Sequence, residues 1–494
     1  MSYSIEKITQ VVSAERYGDT AASISFLLTD SRSLCFPEET LFFALHTDRN
    51  DGHHYIPELY RRGVRNFVVE NVLNNFSDLY KHANFLKVSN TLAAFQQLAT
   101  FHRKAFNIPI VGITGSNGKT MVKEWLSQLF SYDMNVTRSP KSYNSQIGVP
   151  LSLWLLNENS QIGLIEAGIS KVGEMQALHD IIMPTVGVLT SIGTAHQENF
   201  SSLKEKCNEK LLLFKGTQAL IYRIDDKIAA NCVAETCYDG ELLAWSEYDT
   251  TAAFYVERIE KSNTTSTIHY IWKHSTHGNF ILPFIDDASI SNCITCAVVA
   301  LYFGIQPEVL AQRMAKLEPV AMRLEVKEGQ HGCTLINDSY NSDINSLNIA
   351  LDFMNRRPDQ KHRERTLILS DIYQSGETEE QLYAEVAAMV KERGIKKFIG
   401  VGKALNRQKQ AFGSLKDKFF FENTADFIES NVFKTLHNEV ILLKGARVFD
   451  FDKLTELLVK KVHETVLEVN LNAVISNLNW YRSFLKPETK LVCM

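Results

Sequence analysis

Along most of the chain, short apolar runs of strand length alternate with stretches of helical periodicity. In residues 1–89 the runs are brief, Leu41–Leu45 and Asn66–Val69 among them, with turn residues between. A helical stretch, Leu92–Phe106, then leads into the strongly apolar run Ile108–Ile113, and the runs Ile162–Ile165 and Val186–Thr190 follow between further helical patterns. Continuous apolar runs set between helices predict a parallel sheet covered on both faces. Past Pro319 the alternation restarts with Thr334–Ile336, Thr366–Leu369, Lys397–Val401 and Val440–Leu443, which predicts a second α/β unit. The end differs: Val466–Leu471 reads as a strand, Asn472–Leu485 as an amphipathic helix, and Lys490–Met494 as a strand that stops. A β-α-β start of that kind cannot bury its own faces, so the sequence is expected to continue in a longer protein. The pattern divides the chain at 1–89, 90–317, 318–462 and 463–494.

Composition narrows the function. Apolar residues are 45% and charged residues 22%, which excludes a mainly disordered chain. A net charge of −5 gives no basic excess, so no nucleic-acid partner is expected and an anionic ligand must be held by local groups. No apolar stretch approaches the ~20 residues of a membrane span. The N-terminus lacks the basic-then-apolar layout of a signal peptide. A cytoplasmic protein without membrane insertion is expected. The eight cysteines are scattered and form no disulfide framework. Cys293 and Cys296 make a CxxC inside a small-residue helix, Asn292 to Ala300, and with no second CxxC they read as packing. His274 and His277 lie between the strand-like runs Ser266–Ile271 and Asn279–Phe284 and read as a solvated hairpin turn.

The sharpest local signal is Gly112-Ile113-Thr114-Gly115-Ser116-Asn117-Gly118-Lys119-Thr120, between an apolar strand and the helix Met121–Phe130. Small residues there let backbone N–H groups close on phosphate oxygens at a helix N-terminus. Lys119 suits the β/γ phosphates and the Thr120 hydroxyl suits Mg²⁺, although Ile113 stands where the general G-x-x-x-x-G-K-[ST] pattern has its first Gly. Glu166 and His196 follow the next apolar runs, at strand ends where ligands of parallel sheets collect. A carboxylate suits Mg²⁺. Imidazole is a less usual partner, and on its chemistry alone His196 leans towards a structural role.

Lys210 is out of pattern. Along Ser202–Phe214, Leu203, Cys207, Leu211 and Phe214 fall at about 0°, 40°, 80° and 20°, and Lys210 at about −20°, while Lys204 and Glu205 point elsewhere. A lysine within an apolar stripe must be paired, modified or able to snorkel.

Taken together these residues resemble the Mur ligases, ATP-dependent amide-forming enzymes of peptidoglycan precursor synthesis. That family carries TGSNGKT-type loops with the shortened glycine spacing, a Glu after the second core strand (Glu166), and a Gly-x-Ala-His (Gly193–His196). Its carbamylated lysine, fourteen residues past that His, falls on Lys210. Thr29-Asp30-Ser31-Arg32, Asn144-Ser145-Gln146-Ile147-Gly148-Val149-Pro150-Leu151, Asn337-Asp338-Ser339-Tyr340-Asn341-Ser342 and Lys444-Gly445-Ala446-Arg447 resemble the branch that adds D-alanyl-D-alanine.

The resemblance implies an α/β fold of three domains: a small UDP-binding domain, a central P-loop ATPase domain with a parallel sheet, and a C-terminal Rossmann-like domain. It implies ATP and Mg²⁺, with UDP-N-acetylmuramoyl-tripeptide and D-alanyl-D-alanine as partners in a ligation through an acyl phosphate. Lys119, Glu166, His196 and Lys210 take the catalytic roles, and Thr120, Glu166, His196 and Lys210 hold metal. Gly115, Ser116, Asn117, Gly118, Lys119, Thr120, Asn292, Arg323 and Asp338 bind ATP; Ser31, Arg32, Asn144, Ser145, Tyr340, Asn341 and Lys444 bind substrate. Pro319–Met322 is the expected hinge.

Two stretches depart from the family. Its Gly-x-His-Asn is Asp286-Asp287-Ala288-Ser289 here, and its Gly-Asp-Met-x-Glu-Leu-Gly is Ser370-Asp371-Ile372-Tyr373-Gln374-Ser375-Gly376. The tail, Leu467–Val474 with Asn477-Leu478 and Lys490-Leu491-Val492, resembles the start of alanine racemases. Pyridoxal phosphate belongs to the full-length racemase part, so no racemase activity is expected of this sequence. Other readings stay open: a Mur ligase adding a single amino acid, a folylpolyglutamate synthetase-like enzyme, or a P-loop nucleotide-binding protein without ligase activity.

Overall fold

The computed structural model describes residues 1–460 apart from 48–49, 73–78, 194–198, 321–323, 340–341, 357–362 and 374–377. Beyond 460 it describes only Val474, Asn477, Leu478, Tyr481, Phe484, Leu485, Lys486 and Thr489. His196, Arg323, Tyr340, Asn341 and nearly all of the tail therefore lie outside the described residues.

Three main sheets are drawn in chain order from residues 15–87, 110–282 and 325–444. The nine-stranded central sheet runs Val136–Arg138, Ile162–Glu166, Ile110–Thr114, Val186–Leu189, Ala219–Arg223, Glu241–Ser246, Phe254–Lys261, Ser266–Trp272, Thr276–Leu282. Its first seven strands are parallel and the last two are added as antiparallel hairpins. Alternation along Ile110–Thr114 splits the core in two. Val111 and Ile113 pack towards the helices Lys119–Phe130 and Asp287–Tyr302, and Ile110 packs towards Met175, Leu178 and Phe214 on the other face. Both faces are covered, which is why the strands read as unbroken apolar runs.

The N-terminal sheet orders Glu15–Tyr17, Asn84–Lys87, Asn66–Val69, Thr40–Phe43, Phe26–Leu28. It is tied to the central unit through the helix Thr91–Arg103, where the Tyr3 hydroxyl meets His102 Nδ1 at 2.9 Å and Trp154 Nε1 donates to Ser25 O at 2.9 Å. The third sheet orders Glu325–Glu328, Thr334–Asp338, Glu439–Lys444, Glu364–Ser370, Lys397–Val401, Asp417–Phe421, parallel except for its first pair.

Two local expectations change. The helix Ser202–Phe214 is an α-helix only over Leu203–Leu211 and closes as a 3-10 turn over Leu212–Phe214. The hairpin turn holds His274 but not His277, because the ladder starts at the Trp272–Thr276 pair and puts His277 on the strand. Lys273 and His274 supply the left-handed residues of that turn, with φ of 46° and 61°.

Candidate active site

The central sheet's register assembles the site. Ile113 pairs with Glu166 on one side and Val188 on the other, so Glu166 and Thr190 flank the loop leaving Thr114. That loop needs two glycines. Gly115 has φ +148° and a Cβ there would sit 1.9 Å from Thr190 Oγ1; Gly118 has φ +87° and a Cβ would sit 2.4 Å from Asn292 Oδ1. Both contacts are closer than any side chain allows, and the left-handed φ values suit glycine. Asn292 thus packs directly against the loop. Thr190 Oγ1 donates to Asn117 O at 2.6 Å, and Ser116 N donates to Ser191 O at 2.8 Å. Lys119 folds back, its Nζ donating to Gly115 O and Ser116 O at 2.9 Å each.

Beside the loop lies an oxygen-rich cluster. Thr120 Oγ1 donates to Glu166 Oε2 at 2.9 Å and lies 3.0 Å from Ser142 Oγ, and Asn144 Nδ2 donates to Glu166 Oε1 at 2.7 Å. Glu166 is 1% exposed, so the amide and the hydroxyl are what make its burial tolerable. Lys123, at the edge of the apolar stripe of the helix Lys119–Phe130, is wholly buried behind Glu166. Its Nζ donates to Ser139 O at 2.8 Å and to Lys141 O, and lies 3.8 Å from Glu166 Oε2. Ser145 is on the cavity wall, but its Oγ accepts from Gly148 N at 3.1 Å and so starts the helix Gly148–Leu153.

The phosphate loop, Thr120, Ser142, Asn144, Ser145 and Glu166 line one cavity of about 920 Å³, which also takes in Lys210, Asp338, Arg223, Asp225, Asp226 and Trp245. Lys210 is 3% exposed, and burial together with the nearby Lys119 and Lys206 ammoniums holds its amine well below the usual lysine range. The apolar pattern gives no sign of Arg223 and Trp245, which end and sit within the strands Ala219–Arg223 and Glu241–Ser246, or of Asp225 and Asp226, which follow the first of these, Asp226 as the N-cap of the helix Lys227–Glu235. Arg223 lies over the Trp245 ring at 4.8 Å, and Trp245 Nε1 donates to Thr295 Oγ1 at 3.1 Å.

Other expected residues fall elsewhere. Lys444 is wholly buried and donates to Asp338 Oδ2 at 2.7 Å; Asp338 is on the cavity wall and Lys444 is behind it. Ser31 and Arg32 sit on the N-terminal unit away from the cavity wall. Arg32 is exposed and paired with Asp30 at 2.6 Å, a contact that holds the Asp30 carboxyl below the usual range. The departures from the family take structural roles: Asp286 caps the helix Asp287–Tyr302 by accepting from Ser289 N at 2.8 Å, and Asp371 accepts from Ala404 N and Leu405 N at 3.1 and 2.9 Å. Asp287 pairs with Lys261. Among the described residues no group of three His, Cys, Asp or Glu gathers to hold a metal.

A phosphate loop at a helix start, at the carboxyl end of a parallel sheet, makes this cavity a nucleotide site. The description Mur ligase middle domain matches residues 113–300 and Mur ligase, glutamate ligase domain, matches 322–447. The chain belongs to the Mur ligase family. It is 28% identical over 378 residues to UDP-N-acetylmuramoyl-tripeptide--D-alanyl-D-alanine ligase of Bacillus subtilis, covering 76% of this chain and 79% of that one. To the ligase of the same name from Buchnera aphidicola of Acyrthosiphon pisum it is 25% identical over 466 residues, 93% of this chain and 99% of that one. Its fold matches a crystal structure of MurF from Acinetobacter baumannii with a TM-score of 0.77 at 20% identity, over 92% of this chain and 99% of the other.

Proposed function

We propose that this chain joins D-alanyl-D-alanine to UDP-N-acetylmuramoyl-tripeptide as ATP is cleaved to ADP and phosphate, within the cytoplasm. The observation that carries the reading is the Thr120–Glu166–Asn144 cluster beside the phosphate loop, in the same cavity as the buried Lys210, whose amine burial holds well below the usual lysine range.

The tripeptide carboxylate attacks the γ-phosphorus, the bond to the β-bridging oxygen breaks, and ADP leaves with that electron pair. Lys119 turns from the Gly115 and Ser116 carbonyls to the phosphates, and the loop N–H groups receive the charge that develops there. The dipeptide amine then attacks the acyl carbon, loses its proton, and phosphate departs from a tetrahedral intermediate. Arg323 and Asp338 close over the nucleotide about Pro319–Met322 and exclude water. Lys444 serves by holding Asp338.

Thr120, Ser142 and Glu166 offer only oxygen donors, which fits Mg²⁺, an ion that takes few protein ligands beside nucleotide phosphates. When bound, Mg²⁺ neutralises phosphate charge. The Lys210 amine, held well below the usual lysine range, could add to CO₂ once deprotonated and lose a further proton, and the carbamate with His196 would suit a second ion. Asn292, Arg223 and Trp245 form the nucleoside end, Asn144, Ser145, Tyr340 and Asn341 meet the substrates, and Ser31 and Arg32 take the uridine nucleotide. The racemase-like segment 467–492 belongs to the same reading.

The test is phosphate release from ATP with UDP-N-acetylmuramoyl-tripeptide, comparing D-alanyl-D-alanine with single amino acids. Release that depends on the dipeptide and gives a pentapeptide product supports the reading. Release with a single amino acid moves the chain to a neighbouring Mur ligase, and no substrate-dependent release sinks the ligase assignment.

A further inference from the structure

Lys206 lies one turn before Lys210 and is 1% exposed, among the most deeply buried lysines of the molecule. A buried ammonium is costly unless its protons are taken up. Its Nζ donates to the carbonyl of Gly193 at 2.6 Å. The same carbonyl accepts from Ser116 Oγ of the phosphate loop at 3.0 Å, and Gly193 N donates back to Ser116 Oγ at 2.9 Å. One peptide group is thus gripped from both sides, by the loop that would hold phosphate and by the helix that carries Lys210.

We propose that Lys206 is a positioning residue for the ligation, fixing the Lys210 helix against the phosphate loop through the Gly193 carbonyl. The proposal rests on the ligase reading above. Lys210 and Lys119 come from different strand–helix units, and nothing local in the sequence sets the distance between them. Sheet register and the Ser116 N–Ser191 O bond align the two strand ends, and the Lys206–Gly193–Ser116 link carries that alignment on to the helix that bears Lys210. Displacement of about 1 Å at such a junction costs on the order of 10²-fold in rate.

The experiment compares Lys206→Met, Ser116→Ala and the double variant for kcat, KM for ATP and thermal midpoint, together with hydrogen exchange at the Gly193 amide. The expected result for Lys206→Met is a fall in kcat of about 10²-fold with KM for ATP within about threefold. The double variant should lose less than the product of the two single losses, since both side chains act on one carbonyl. A kcat within about twofold of the parent overturns the proposal, as does a loss that only follows the unfolded fraction or two losses that multiply. If the parent itself shows no turnover the ligase reading fails, and exchange then decides. Faster exchange at Gly193 in Lys206→Met, with the strand Ala219–Arg223 unchanged, supports the link, and unchanged protection at Gly193 overturns it.

Discussion

Two helices on opposite faces of the central sheet both bury reactive side chains, and they do so to different ends. Asp287–Tyr302 holds Cys293 and Cys296 in the apolar core, where Sγ of Cys296 donates to the Val122 carbonyl at 3.6 Å and burial pushes both thiols above the usual range. Such thiols are unreactive packing groups. Leu203–Leu211 buries Lys206, Glu209 and Lys210, and each has a polar destination. Lys206 reaches Gly193, Lys210 lines the cavity, and Glu209 Oε1 accepts from Gly173 N and Met175 N at 2.8 and 3.1 Å. The last contact caps the helix Glu174–Ile182, whose own N-cap, Gly173, has no side chain to do so. Burial alone therefore marks nothing; what the buried group is aimed at separates machinery from filling.

The largest effect is expected at the loop. Lys119→Met should cut turnover about 10³-fold with the fold intact, because a charge-stabilising donor is lost from the transferring phosphate; near-normal phosphate release would break the polar side of the comparison. Lys210→Ala should lose about 10²-fold, with partial rescue by added short carboxylates that replace the carbamate oxygens. Loss without rescue would make Lys210 structural.

A pH effect comes next. Burial lowers His102 to about 4, below its unfolded value of about 6.5. The unfolded chain then binds the proton more readily, so the stability held above pH 6.5 is lost as pH falls from there towards 4. The loss should be about 2 kcal/mol between pH 7 and 5. Denaturation at the two pH values should show this slope in the parent and a flatter one in His102→Gln; equal slopes would remove His102 as its source.

Smaller again, Glu209→Ala should lower stability by about 1–2 kcal/mol by leaving the Gly173 and Met175 N–H groups unpaired, while Glu209→Gln, which keeps an accepting oxygen, should stay near the parent in a denaturation midpoint. The smallest change belongs to the thiol helix. Cys296→Ala should leave kcat and KM within about twofold and lower stability by about 1 kcal/mol. A kinetic defect there would break the comparison outright.

The phosphate loop and its flanking strand and helix are legible because every requirement is local: an apolar strand, glycines at the left-handed positions, then Lys119 and Thr120 at a helix start. Glu166 is legible for the same reason, as the residue ending the next strand. Lys210 stands out only as a break in an apolar stripe. Lys206, at about −60° on the same count, sits at the edge of that stripe and could have been found as a second charged residue one turn before Lys210. Lys123 gives the same kind of signal, falling at about 100° when Val122 is at 0° and Phe130 at about 80°, but its partners Ser139, Lys141 and Glu166 come from beyond its own helix and only Glu124 is local.

By itself the sequence determined the alternation of strands and helices, the phosphate loop and the family, because each depends on short-range periodicity or on residues adjacent in the chain. The tertiary structure decided that Lys444 serves Asp338 from behind the cavity wall, that Asp286 and Asp371 are helix caps, and that Arg223 and Trp245 enter the cavity. It also decided that Gly193 joins two units through one carbonyl. Those outcomes depend on which strand lies beside which and in what register, and a buried polar group takes whichever partner that register supplies.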